Sequence, residues 1–71
     1  MISSIGTRIK ELRKIKNISQ EELANELSVS RQTISKWESD IVSPDINNIE
    51  MLSNFFEVST DYIINGKENS K

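Results

Sequence analysis

The chain has 71 residues, no cysteine, no histidine and a net charge of −2. This length allows one small domain, in which nearly every apolar residue is needed for the core. The missing Cys and His rule out a disulfide framework, thiolate and imidazole metal ligands and the commonest general base, so neither a metal centre nor another cofactor is expected.

Charge is unevenly spread. Residues 1–36 carry seven Lys/Arg (Arg8, Lys10, Arg13, Lys14, Lys16, Arg31, Lys36) against four Glu, a net of +3. Residues 37–71 carry two Lys against seven acids, a net of −5. The N-terminal half can therefore face a polyanion although the whole chain is acidic. The opening MISSIGTRIKELRK meets charge before any apolar stretch forms, unlike a signal peptide. No apolar run approaches membrane-spanning length. The expectation is a soluble cytoplasmic protein, with 1–65 as the domain and 66–71 as a polar tail.

Taken in order, Ile5, Ile9, Leu12 and Ile15 recur at helical spacing and predict a first helix from about Ser4 to Lys16, with Arg and Lys on the other face. Asn17 suits its end, and Lys14 and Lys16 suit the negative end of its dipole. A local signal then occurs three times: an apolar residue, a serine, and another apolar residue four after the serine. The cases are Ile18-Ser19…Leu23, Val29-Ser30…Ile34 and Val58-Ser59…Ile63. Serine at the N-cap accepts a hydrogen bond from an unpaired helical N–H, and the apolar pair staples the entry. Glu22 adds a capping box at Ser19.

These marks predict helix 2 over Gln20–Leu27, burying Leu23, Ala24 and Leu27, and helix 3 over Arg31–Glu38, burying Ile34 and Trp37. A fourth helix near Ile46–Phe56 places Ile46, Ile49, Leu52, Phe55 and Phe56 in phase. Pro44 lies at its start, with either Ser43 or Asp45 as cap. Tyr62, Ile63 and Ile64 belong to a short fifth helix. With no strand signal, the fold class is an all-α, five-helix globule.

Helix 3 carries the functional signal. On a helical wheel Ile34 and Trp37 point one way, while Gln32, Ser35 and Lys36 point the other, with Arg31 at the flank. That outward face is rich in donors and free of carboxylate. Gln can pair bidentately with adenine and Arg or Lys with guanine, and Ser or Thr reaches bases or phosphates. Any short solvated helix can look like this, so context decides. Here the context is two short helices joined by Ser28-Val29-Ser30, the geometry of a helix-turn-helix.

Residues 5–64, and above all the segment VSRQTISKWE at 29–38, resemble the phage-repressor-like (Cro/cI, XRE) helix-turn-helix domain. The resemblance implies a lambda-repressor-like fold and a partner in double-stranded DNA. It implies that Gln20 holds a phosphate and braces the start of helix 3. It assigns Arg31, Gln32 and Lys36 to base edges, and Ser30, Thr33 and Ser35 to phosphates or bases. Asn47 and Asn48 correspond to a second phosphate clamp, although Asn48 could instead help to cap helix 4. Arg13 and Glu38 match an ion pair, a clasp if buried and a minor contact if on the rim. Three departures stand out. Ser28 replaces a common glycine, Asp40 and Ile41 replace a frequent Gly-Lys, and the overall balance is acidic.

The expected function is a sequence-specific DNA-binding transcriptional regulator, in the first instance a repressor. It would bind a palindromic operator as a homodimer through Phe55, Phe56, Tyr62, Ile63 and Ile64. The rival is an antitoxin or other protein-interaction module, with the acidic C-terminal half facing a protein partner. No catalytic residue is assigned and no enzyme is expected.

Overall fold

The computed structural model describes residues 3–67. Five helices follow one another: α1 (Ile5–Ile15), α2 (Gln20–Leu27), α3 (Arg31–Glu38), α4 (Ile46–Phe56) and α5 (Thr60–Asn65). The expected residues 1, 2 and 68–71 of domain and tail lie outside the described residues. Among those described, no helix is long and apolar enough to cross a membrane.

Each helix starts on a side-chain cap that accepts an N–H three residues on: Ser4, Ser19, Ser30, Asp45 and Ser59. Glu22 closes the capping box at Ser19: its N–H donates to the Ser19 hydroxyl at 3.0 Å and its carboxylate accepts the Ser19 N–H at 2.8 Å. The open choice at α4 resolves to Asp45, and Ser43 is simply exposed. Each helix ends at or just before a left-handed residue: Asn17, Ser28, Asp40, Glu57 and Gly66, with φ near +60° to +70°. Only the last is glycine. The turn after α1, α2, α3 and α4 also closes by an N–H returning to a carbonyl five residues back, as in Ile18 to Arg13 and Val29 to Ala24.

The apolar faces meet in one core of Ile9, Leu23, Ala24, Leu27, Ile34, Trp37, Ile49, Leu52, Val58 and Ile63. α1 packs on α3 and α5, α2 on α3 and α4, and α4 on α5. The Ser53 hydroxyl donates to the Val58 carbonyl and ties the end of α4 to the entry of α5. Two apolar residues in helical phase are not in this core. Ile15 is 81% exposed and Ile46 is 63% exposed. Ile15 is the last residue of α1 and Ile46 the first of α4, so each sits where its helix has run past its neighbours.

Gly6 fixes how α1 meets α3. A Cβ there would lie 2.2 Å from the Trp37 carbonyl oxygen and 2.8 Å from that of Glu38, both backbone atoms that cannot step aside. The first turn of α1 therefore abuts the last turn of α3, its positive end against the other's negative end. Asp40 completes the junction. Its Oδ1 accepts the Gly6 N–H at 3.0 Å and its Oδ2 accepts the Ser4 hydroxyl at 2.6 Å.

Candidate nucleic-acid interface

α2 and α3 are joined by Ser28, Val29 and Ser30. Ser28 takes φ +57°, Val29 is half-buried against the core, and Ser30 caps α3. The buried Ala24 lets the two helices approach closely. Ile34 and Trp37 anchor α3, and the opposite face is left open. Arg31, Gln32 and Lys36 are exposed there, and Thr33 and Ser35 are half-buried. Ser30 Oγ accepts the Thr33 N–H at 3.1 Å and lies 2.9 Å from the Thr33 hydroxyl, so these two side chains hold each other at the helix start.

The carboxylate nearest in sequence, Glu38, is turned away from this face. Its Oε2 accepts Arg13 Nε at 2.7 Å and its Oε1 accepts Arg13 Nη2 at 3.1 Å. Side-chain exposure is 12% for Arg13 and 3% for Glu38, which settles the open question: the pair is a buried, two-pronged clasp. Arg13 also donates to the Ile18 carbonyl at 2.9 Å. The hydrogen bonds that Arg13 donates to Glu38, aided by the carboxylate charge, push the Arg13 pKa above its ordinary value against the opposing effect of burial.

Gln20 extends the clasp to the interface. Its Nε2 donates to Glu38 Oε1 at 3.0 Å, and its Oε1 faces Arg31 Nη1 at 3.4 Å, a marginal hydrogen bond. A line of polar contacts thus runs from α1 (Arg13) through the end of α3 (Glu38) and the start of α2 (Gln20) to the start of α3 (Arg31).

Asn47 is exposed and Asn48 half-buried at the first turn of α4. The Asn48 N–H already bonds the Asp45 carboxylate at 2.9 Å. An acidic side chain therefore caps this helix end, which reduces its attraction for a phosphate relative to a serine cap.

The family model described as helix-turn-helix (HTH_3) matches residues 9–63. The chain belongs to this family. It is 43% identical over 61 residues to the HTH-type transcriptional activator BcrR of Enterococcus faecalis, covering 86% of this chain and 30% of that protein. It is 38% identical over 68 residues to the HTH-type transcriptional regulator ImmR of Bacillus subtilis, covering 96% of this chain and 54% of that protein. Among solved structures it resembles the c2 repressor of phage P22 in complex with a synthetic operator. The TM-score is 0.87 and the identity 34%, over 92% of this chain and 98% of that one. The chain spans 30% of the length of the first of these curated relatives and 54% of the second. The expected five-helix, repressor-like fold is the observed one.

Within this helix-turn-helix domain, two residues escaped the sequence reading. Arg8, one of the seven cations in the charge count of residues 1–36, is buried and spent on the fold. Its Nε donates to the Ile63 carbonyl and its Nη2 to the Ile64 carbonyl, both at 2.9 Å, while Nη1 bonds the Ser3 carbonyl and hydroxyl. Arg13 is likewise committed, so the exposed cations of residues 3–36 are Lys10, Lys14, Lys16, Arg31 and Lys36. Asp40 is the second. The departure from glycine is also a cap for α1.

The expected dimer residues divide. Ile63 is fully buried and belongs to the core, so its side chain is not available to a partner. Phe55 and Phe56 are half-buried and meet edge to face at 5.0 Å, with Lys16 Nζ 5.2 Å from the Phe55 ring centroid. Tyr62 is half-buried and Ile64 exposed. Further exposed aliphatic groups, Ile41 and Val42, follow α3 directly. Among the described residues, no three His, Cys, Asp or Glu side chains are grouped so as to hold a metal ion.

Proposed function

We propose that this chain is a sequence-specific DNA-binding transcriptional regulator, acting as a repressor in the cytoplasm, and not an enzyme. The observation that carries the reading is the outward face of α3. Arg31, Gln32, Ser35 and Lys36 offer donors to base edges while the one carboxylate of the helix, Glu38, is drawn inside by Arg13. Gln20, Ser30 and Thr33 flank that face and serve phosphates or bases. Asn47 and Asn48 supply a weaker second clamp, because Asp45 already sits at that helix end. The likeness to the operator-bound P22 repressor supports the same orientation. Repression needs only that the bound domain obstruct a promoter.

A single two-turn recognition helix covers few base pairs, so specificity requires two copies on a palindrome, with half-sites about 34 Å apart. Phe55, Phe56, Tyr62 and Ile64 form the dimer surface in this reading. Selection from a random duplex pool tests it. The expected product is a palindromic motif with half-sites one helical turn apart, bound less tightly as salt rises. Failure to enrich any sequence, or binding indifferent to salt, overturns the proposal.

A protein-interaction role has one observation in its favour, the exposed Ile41, Val42 and Ile46 beside the acidic half of the chain. Gln32→Ala with Lys36→Ala separates the two. It abolishes operator binding and leaves any protein complex intact.

A further inference from the structure

The buried clasp touches one group that a purely structural ion pair would not need. Glu38 Oε1 accepts from Arg13 Nη2 at 3.1 Å and also from Gln20 Nε2 at 3.0 Å. The Gln20 carboxamide is set between neighbours of opposite charge, with Glu38 at its nitrogen and the Arg31 guanidinium at its oxygen. Turning the amide over would set its oxygen against the Glu38 carboxylate and its NH₂ against a guanidinium. Both contacts would be repulsive, so only one orientation is compatible with both neighbours. One Nε2–H is then used by Glu38, and the second has no partner among the described residues.

We propose that Glu38 is a positioning residue for backbone recognition: it fixes the Gln20 amide so that the second Nε2–H is available, beside Arg31, to a nucleic-acid phosphate. The inference rests on the DNA-binding reading above and adds that the ion pair belongs to the interface as well as to the core. Arg13 neutralises Glu38 without consuming all of its acceptor capacity, which leaves a buried carboxylate free to orient a neutral donor. A donor held in place before the ligand arrives loses less rotamer freedom on binding than an unrestrained glutamine does.

The test uses the operator recovered by selection, remade with one neutral methylphosphonate at each backbone position in turn. Wild-type protein should lose affinity at each contacted phosphate, by about fivefold at the one position per half-site that Gln20 holds, the value of one hydrogen bond. Gln20→Met should make the protein indifferent to that position. The double variant Arg13→Met with Glu38→Leu, which exchanges the pair for apolar groups, should show the same indifference although Gln20 is intact. A merely structural clasp would lower stability and leave the pattern of sensitive phosphates unchanged, and that result overturns the proposal. NMR relaxation of the Gln20 side-chain amide in the free wild-type protein gives a check that needs no variant. An ordered amide supports the proposal, and one as mobile as the exposed Gln32 side chain refutes it. Wild-type protein that selects no DNA overturns the functional reading and this inference together. Wild-type protein that selects an operator, with methylphosphonate effects unaltered in the double variant, overturns this inference alone.

Discussion

Replacing Arg13 by alanine is the sharpest test of how the domain is held together. The substitution removes two hydrogen bonds to Glu38, at 2.7 and 3.1 Å, and one to the Ile18 carbonyl at 2.9 Å. It leaves a carboxylate that is 3% exposed with a single neutral donor, Gln20. Breaking a buried pair from one side costs ~3–5 kcal/mol, because the abandoned charge stays desolvated. Arg13 is 12% exposed, so water can partly fill its place and the lower end, ~3 kcal/mol, applies. A domain of this size has roughly 4–10 kcal/mol in all, so the variant retains little margin. Urea denaturation reads this directly. With a slope of about 1 kcal/mol per molar, the midpoint should fall by about 3 M. Arg13→Met with Glu38→Leu should recover most of the loss, since no charge is then left alone. A drop below ~1 kcal/mol for Arg13→Ala would place the pair among solvated surface contacts, with no buried charge left behind.

The same pair has a pH signature. The Arg13 pKa is raised in the folded state, so its contribution is complete below the unfolded value and is lost only as pH climbs through the higher, folded one. The destabilisation by Arg13→Ala in urea should therefore be equal at about pH 7 and about pH 10, both well below the arginine range. Gly6→Ala should cost more than ~2 kcal/mol, because the new Cβ meets two backbone carbonyls and α1 must back away from α3. A thermal melt unchanged from wild type would contradict that geometry. Ser28→Gly should stabilise by up to ~1 kcal/mol, relieving a left-handed serine at φ +57°, and a lower urea midpoint would count against strain at that turn. Arg31→Ala or Lys36→Ala should weaken operator binding by ~1–3 kcal/mol and relax preference at one base position each, whereas an unchanged selected motif would remove those side chains from base reading.

Much of the fold was legible because its signals are local. The staple and cap at Ser19, Ser30 and Ser59 each need only six consecutive residues, and all three mark helix starts that the structure contains. Periodicity was less complete. It reports which residues share a face and says nothing about where that face runs out of neighbours, so Ile15 and Ile46 are in phase with core residues yet lie beyond the core. Charge counting erred in the same way for Arg8. Two of its partners are backbone carbonyls 55 and 56 residues away, and carbonyls leave no trace in a sequence. Asp40 was visible only as a replacement for a frequent glycine, while its cap on α1 joins positions 34 and 36 apart and emerges only when the helices are docked. For the interface, the outward face of α3 could be read from a wheel. The inward turn of Glu38 and its contact with Gln20 depend on where α1 lies.

Arg8 has a mechanical consequence. One guanidinium grips Ser3 near the start of α1 and the last carbonyls of α5, and Gly66 passes so close that a Cβ there would stand 2.9 Å from Nη1. Tension applied between residues 3 and 66 would therefore load these hydrogen bonds before it reached the apolar centre. Helix α5 would peel away first, with α2 and α3 still seated.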